Sequence, residues 1–311
     1  MSEKFDPSNF ELKEIIGSGA QAWCEEATYE GHQYCLKFMP PSEAEREIAA
    51  FEKCGECPYL IRLHCVLPPV NRMNPITGKT MEVTPLVLEY ADGGDIHSIL
   101  QRIGAFRTPS GDERLVRTFF KQLIDGLKHM HDRGICHRDI KPENCVVIDS
   151  TLKVIDLGHA TPLTNCTGVA GTDNYMAPEV SASKYDGTKA DIYSAVITLF
   201  MMLTGIPPYS KNRSDPVGFW YYCQVLSNRF ERFFEAHERF NHISEEAKIL
   251  LKGMMQPNPN ERFTMKQIEE NSWFMGETCT TEECAKIMED CAAAKKAKDD
   301  VHAVAVDASK P

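Results

Sequence analysis

His137-Arg138-Asp139-Ile140-Lys141-Pro142-Glu143-Asn144 is the stretch that decides how this chain is read. Just before it, Leu115, Phe119, Leu123, Leu127 and Met130 recur at helical spacing and form one apolar stripe, which Gly134 ends. A dense run of charges and an amide therefore follows directly on a helix with a buried face. Taken singly its members are ordinary: Asp139 passes for a helix cap and Arg138 for a surface charge. Their weight comes from what stands around them, in order.

Upstream, Ile16-Gly-Ser-Gly-Ala-Gln-Ala-Trp-Cys24 follows a strand-like run, Phe10 to Ile16. Gly17 and Gly19 let backbone N–H groups approach phosphate oxygens with no side chain in the way, although an ordinary hairpin turn looks similar. Tyr34-Cys-Leu-Lys37 ends an apolar strand on a lysine, which is costly to bury unless it meets an anion. Glu47, on the helix that follows, is the natural partner, and Glu45 the alternative. Downstream come Asp156-Leu-Gly158 and then Gly171-Thr-Asp-Asn-Tyr-Met-Ala-Pro-Glu179.

In this order the motifs resemble those of the eukaryotic-type protein kinases, Ser/Thr class, over about Phe10 to Phe274. The layout is most similar to the calmodulin-dependent and related basophilic group. Phosphoryl transfer has a loose transition state with charge spread over the phosphoryl oxygens, so positioning and electrostatics carry the catalysis. The resemblance implies that Asp139 orients the substrate hydroxyl and accepts its proton, while Lys141 reaches the transferring phosphate and marks Ser/Thr specificity. Lys37, held by Glu47, would steady the ATP phosphates. Asn144 and Asp156 offer the hard oxygen ligands that Mg2+ prefers.

Other positions carry over singly. Gly17 and Gly19 would cover the phosphates, and Leu86 to Ala91 looks like the hinge strand, with Leu88 as gatekeeper and the backbones of Glu89 and Ala91 bonding adenine. Cys24, Cys35 and Val146 would sandwich the ring. His137, Leu157 and Phe51 look like members of the apolar stack that links the lobes. Glu179 and Arg262 resemble the family's buried ion pair, and Asp191 the aspartate that braces the catalytic loop. Thr172 lies in the peptide-docking segment. Glu143 and Asp95 resemble the acids that face a substrate arginine three residues before the acceptor, where two carboxylates can bond one guanidinium. The plainer reading has Asp95 bonding the ATP ribose or capping the next helix, and Glu143 pairing locally.

The chain departs from the family pattern in places. Ala22 stands where a third glycine is usual, Leu157 replaces phenylalanine, and only ten residues separate Lys37 from Glu47. Arg138 is the kind of arginine that receives an activation-segment phosphate, for which Thr164 and Thr167 are candidates, yet the usual acceptor position holds Gly168. A pseudokinase scaffold would need a missing lysine, catalytic aspartate or metal ligand, and the sequence has all of them. A small-molecule kinase on the same fold is disfavoured by the intact Gly171 to Glu179 segment.

The expected fold class is α+β: a two-lobed protein kinase fold with a small β-rich N-lobe and a larger helical C-lobe. Residues 1–9 read as an extension, 10–274 as the catalytic domain (N-lobe about 10–90, C-lobe about 91–274) and 275–311 as a tail, partly helical and then disordered. Strands are expected at Tyr34 to Met39, Leu60 to Leu67 and Leu86 to Tyr90, with a turn at Asn74 to Gly78. Ser42-Glu-Ala-Glu45 predicts a capping box for a helix ending at Gly55. Asp191 to Leu203 is apolar nearly all round and predicts a central buried helix; others are expected at Pro216 to Glu235, Ser244 to Met255 and Met265 to Glu270. In the tail a helix begins at Thr280-Thr-Glu-Glu283 and carries Cys284, Ile287, Met288 and Cys291 on one face, packed on the large lobe or held for a regulatory partner.

Composition narrows the setting. Lys+Arg number 34 against Asp+Glu 45, a net charge of −11, which disfavours nucleic acid and anionic membrane and suits a basic peptide substrate. Met1 to Phe10 carries no apolar signal run, and Ala195 to Leu203 is too short to span a bilayer. The 12 cysteines are spread through the chain and read as reduced thiols in a cytoplasmic setting, the nucleus left open. Cys54, Cys57, His64 and Cys65 match no common zinc module in their spacing.

Overall fold

The computed structural model of the chain describes residues 5–19, 22–106, 111–163, 166–181, 184–238 and 243–308. Three antiparallel strands open it: β1 (Glu11–Ser18), β2 (Trp23–Tyr29) and β3 (His32–Met39). Then come helix α1 (Pro41–Cys54), β4 (Leu63–Val66), β5 (Val70–Met73) and β6 (Thr80–Glu89). The sheet order is β1-β2-β3-β6-β4, with β5 paired on β6, so β3 lies at the centre. Alternation along β3 separates its two faces. Leu36 and Phe38 join an outer apolar cluster with Trp23, Val83 and Val87. Cys35 and Met39 join an inner one with Leu86, Leu88 and Val146. Lys37 shares that inner face.

The helical part comprises α2 (Ile96–Ile103), α3 (Arg114–Asp132), the short strands β7 (Ile135–Cys136), β8 (Cys145–Ile148), β9 (Thr151–Val154) and β10 (Thr161–Pro162), then α4 (Gly187–Thr204). Helices α5 (Pro216–Leu226), α6 (Phe230–Glu238), α7 (Glu245–Met254), α8 (Met265–Glu269), α9 (Ser272–Met275) and α10 (Thr281–Ala308) complete it. As its all-round apolar sequence predicts, α4 is buried along Ala190–Thr204 and forms the axis of the large core. The α3 stripe packs in the same core.

Local expectations are corrected at several points. No capping box starts α1: Pro40 is the N-cap with no side-chain bond, and Pro41, whose fixed φ suits a first helical turn, replaces the Ser42 to Glu45 device. The run from Pro216 is two helices, broken at Asn228, whose φ of 56° no helix accommodates. The strand expected at Leu60 to Leu67 shrinks to Leu63–Val66, and that at Leu86 starts earlier, at Thr80, because β5 folds onto it through the Asn74 turn. In the tail, α10 runs to Ala308 through an alanine-rich stretch of high helix propensity.

Candidate active site

Lys37 extends from the inner face of β3 toward α1, where its Nζ donates to Glu47 Oε1 and Oε2 at 2.8 and 2.7 Å and to Asp156 Oδ1 at 2.8 Å. Glu47 is fully buried, whereas Glu45 is exposed, so Glu47 is the partner. Burial alone would lower the Lys37 ammonium, but the two carboxylates outweigh it and hold it raised. Burial would raise the Asp156 carboxyl; the Lys37 charge outweighs that and holds it down at about 2. Burial does raise Glu47, against the pull of Lys37. The charges thus interlock sheet, helix and the Asp156 loop. The ten-residue spacing suffices because α1 begins directly after β3, at Pro41.

Asp139 lies at the floor of the cleft, 5% exposed. Its Oδ1 accepts from Thr172 Oγ1 at 2.7 Å, and its Oδ2 from Asn144 Nδ2 at 3.1 Å and from Lys141 Nζ at 2.9 Å. Lys141 also donates to Thr172 Oγ1 at 2.8 Å. Asn144 Nδ2 further donates to the Asp139 carbonyl at 2.8 Å, which leaves the Asn144 amide oxygen as its hard acceptor. The donor set fits a magnesium ion: that amide oxygen and the Asp156 carboxylate. Asp156 takes a left-handed φ of 64°, a sparsely populated conformation of the kind that clusters at functional sites.

The loop is braced from below. Asp191, on α4 and fully buried, accepts from the His137 and Arg138 N–H groups, each at 2.8 Å, and lies 2.8 Å from His131 Nε2. Burial would raise its carboxyl, but these partners outweigh it and hold it below the usual range. His137 is buried, with Nε2 2.9 Å from the Ile155 carbonyl. Leu157 is buried in the large core, and Phe51 packs against both this core and the inner sheet cluster. Arg262 pairs with Glu179 at 2.5 and 2.9 Å, donates to the Gln256 and Lys189 carbonyls, and stacks over Tyr193. Gly171, at φ 106°, passes so close to the Arg138 carbonyl that a side chain would collide with it.

The upper cleft gathers the other expected residues. Gly17 lies opposite Cys24, Cys24 opposite Lys37, and Lys37 opposite Leu86. Cys35, Leu88, Ala91, Ala22 and Val146 belong to one apolar cluster. Gly19 donates to the Ala22 carbonyl at 2.8 Å, closing the loop where the third glycine is absent.

Two of these residues have partners of their own. The Glu89 N–H already donates to the Arg62 carbonyl at 3.0 Å and its carboxylate pairs with Lys153, so any adenine contact must use its carbonyl. Asp95 caps α2: its Oδ1 accepts from Ser98 N at 2.9 Å and its Oδ2 from Ser98 Oγ at 2.6 Å. Glu143 lies 4.0 Å from His97 through Oε1, while its Oε2 is buried without a hydrogen-bond partner among the described residues. Thr164 lies outside the described residues; Thr167 is exposed.

Sequence reasoning missed His131 as the partner of Asp191. Its place in the last turn of α3, where the helix dipole favours a cation, was the available signal. It also missed Lys211, which donates to the Met176 carbonyl at 3.0 Å and whose N–H donates to Asn174 Oδ1 at 3.0 Å, fixing the docking segment; no local motif marks it.

A two-lobed α+β fold with a lysine–glutamate pair, a braced aspartate loop and a left-handed Asp156 defines a phosphotransferase of the kinase type. The protein kinase domain family model matches residues 10–274, and the chain belongs to that family. Among curated proteins, it is 33% identical over 217 residues to the serine/threonine-protein kinase SRK2J of Arabidopsis thaliana, covering 66% of this chain and 61% of that one. It is 32% identical over 286 residues to CBL-interacting protein kinase 9 of Oryza sativa subsp. japonica, covering 85% and 56%. Against serine/threonine-protein kinase SRK2C of Arabidopsis thaliana it is 36% identical over 201 residues, covering 61% and 54%. The match thus spans between half and two thirds of the length of these relatives.

Proposed function

We propose that the chain transfers the γ-phosphoryl group of ATP to serine or threonine hydroxyls of proteins. The observation that carries this is Asp139, buried in the cleft and held at once by Lys141, Thr172 and Asn144. The acceptor hydroxyl takes the place that the Thr172 hydroxyl occupies near Asp139, which orients it and accepts its proton as the oxygen attacks phosphorus. Lys141 neutralises charge on the transferring group, and Lys37, fixed by Glu47, holds the nucleotide phosphates. Bound magnesium supplies charge neutralisation at the phosphates, with Asn144 and Asp156 as the residues that would hold it. The relatives' names, serine/threonine-protein kinases among them, support the acceptor class.

For the substrate sequence, the reading is an arginine three residues before the acceptor. Glu143 supports it, because a buried carboxylate oxygen without a partner favours an incoming guanidinium. Asp95, which also caps α2, is the second carboxylate of this reading, beside Glu143. A cytoplasmic setting and a regulatory partner on the tail belong to the same reading. The test is a positional-scanning peptide library. Replacing the favoured upstream arginine by alanine should raise KM, and Glu143→Ala should narrow the difference between the two peptides. Equal use of both peptides by the wild-type chain, or preference for acidic or proline-directed sites, removes the basophilic reading and leaves the kinase assignment standing.

A further inference from the structure

Cys136 and Cys166 are both fully buried, 30 residues apart in sequence, with their sulfurs 3.1 Å apart. They join two parts of the catalytic apparatus. Cys136 ends β7 and immediately precedes the His137 loop, and Cys166 lies in the segment that leads to Gly171. The backbone already brings the strands together: β10 pairs with β7, placing Thr161 opposite Cys136. The Cys136 thiol lies 3.4 Å from the Thr161 carbonyl, and the Tyr185 N–H donates to the Cys166 carbonyl at 3.1 Å.

Gly187 completes the enclosure. A Cβ at this position, the first of α4, would fall 2.5 Å from the Cys136 sulfur and 2.6 Å from the Cys166 sulfur. Glycine is therefore what allows the two thiols to meet beneath the helix. Reaching a disulfide needs closure from 3.1 Å to about 2.05 Å.

The rest of the segment shows what such a bond would do. Arg138 donates through Nε to the His159 carbonyl at 2.7 Å, and Gly168, which has no hydroxyl, occupies the usual acceptor position. A phosphate at that place is therefore not available to hold the segment. We propose that Cys136 and Cys166 form a reversible disulfide under peroxide, pinning the activation segment to the catalytic loop where relatives use a phosphate. The covalent bond rests on this geometry alone; its use in place of a phosphate rests on the kinase reading above.

The chemistry balances. Cys166, itself buried but next in sequence to the exposed run Thr167 to Val169, attacks peroxide as its thiolate, breaks the O–O bond and becomes a sulfenic acid as hydroxide leaves. Cys136 then attacks that sulfur, the S–S bond forms and the hydroxyl departs as water. Overall two thiols lose two electrons and two protons, and one peroxide becomes two waters.

The test uses the full chain, reduced with dithiothreitol, desalted, exposed to hydrogen peroxide, stopped with catalase, alkylated under denaturing conditions and mapped without reduction. The Cys136–Cys166 peptide should be the dominant linked species and vanish with dithiothreitol. Gly187→Ala, which crowds both sulfurs, should lower its yield severalfold, and trypsin cleavage after exposed Lys184 should slow severalfold in the oxidised wild type. Recovery of the two cysteines as separately alkylated or overoxidised residues, without the linked peptide, overturns the site. Unchanged cleavage in fully linked protein overturns the pinning. Neither readout uses phosphate transfer, so a chain that fails as a kinase leaves both results interpretable.

Discussion

Lys37 and Asp156 face each other across the cleft at 2.8 Å, with Lys37 nearly buried and Asp156 partly exposed. The pH consequence has a definite sign. Asp156 has a folded value of about 2, below the unfolded value of about 3.9, so its contribution to stability is complete above the unfolded value and lost as pH falls toward 2. Urea unfolding of wild type and Asp156→Asn should therefore diverge at neutral pH and converge toward pH 2; curves that stay parallel would deny the pairing. Lys37→Met should leave Glu47 buried without its counter-charge, lowering both ATP affinity and stability, with a loss of about 3–5 kcal/mol in unfolding. The candidate site residues were readable because each motif fixes a residue type at a spacing. Asp95 was less so: a carboxylate before a helix can cap it or face a ligand, and the Ser98 bonds show that it caps.

Elements carry the next scale. The Glu179–Arg262 pair ties the docking segment to the loop before α8, and Arg262 is 1% exposed. Arg262→Ala leaves Glu179 unpaired and should cost about 3–5 kcal/mol, seen as a lower urea midpoint; a loss below about 1 kcal/mol would make the pair a surface contact. Helix α10 presents buried Cys284, Ile287 and Cys291 to the large core, and Arg114 bonds Glu283 at 2.9 Å. Removal of residues 277–311 should lower Tm by about 5–10 °C through lost apolar burial, with peptide kinase activity at low temperature unchanged. A several-fold rise in activity would instead mark the tail as inhibitory. Helix α3 was legible by its continuous apolar stripe and α4 by being apolar nearly all round. The start of α1 and the break at Asn228 were not, since a proline start mimics a serine cap one residue on, and a positive φ leaves no hydrophobic trace.

At the scale of the whole molecule, the active cleft is a junction. Two clusters meet there, the inner sheet and the helical core, with Phe51 touching both, while the outer cluster lies on the other face of the sheet. The order of motifs along the chain announced this architecture, because each motif belongs to one wall of the cleft. How the walls are cross-braced did not show in the sequence: His131 on Asp191, Lys211 on the docking segment and Cys136 against Cys166 are long-range pairings that no spacing encodes. The central claim is that Asp139 is the base of a serine/threonine phosphotransferase. The direct measurement is steady-state transfer from Mg·ATP to a serine peptide with an upstream arginine, for wild type and Asp139→Asn side by side. The account predicts phosphoserine formation by the wild type and a kcat lower by about 10²–10⁴ in Asp139→Asn, with the variant still folded by its thermal melt. Equal turnover by the two proteins, or a wild type that binds ATP yet phosphorylates no serine or threonine peptide, would contradict it.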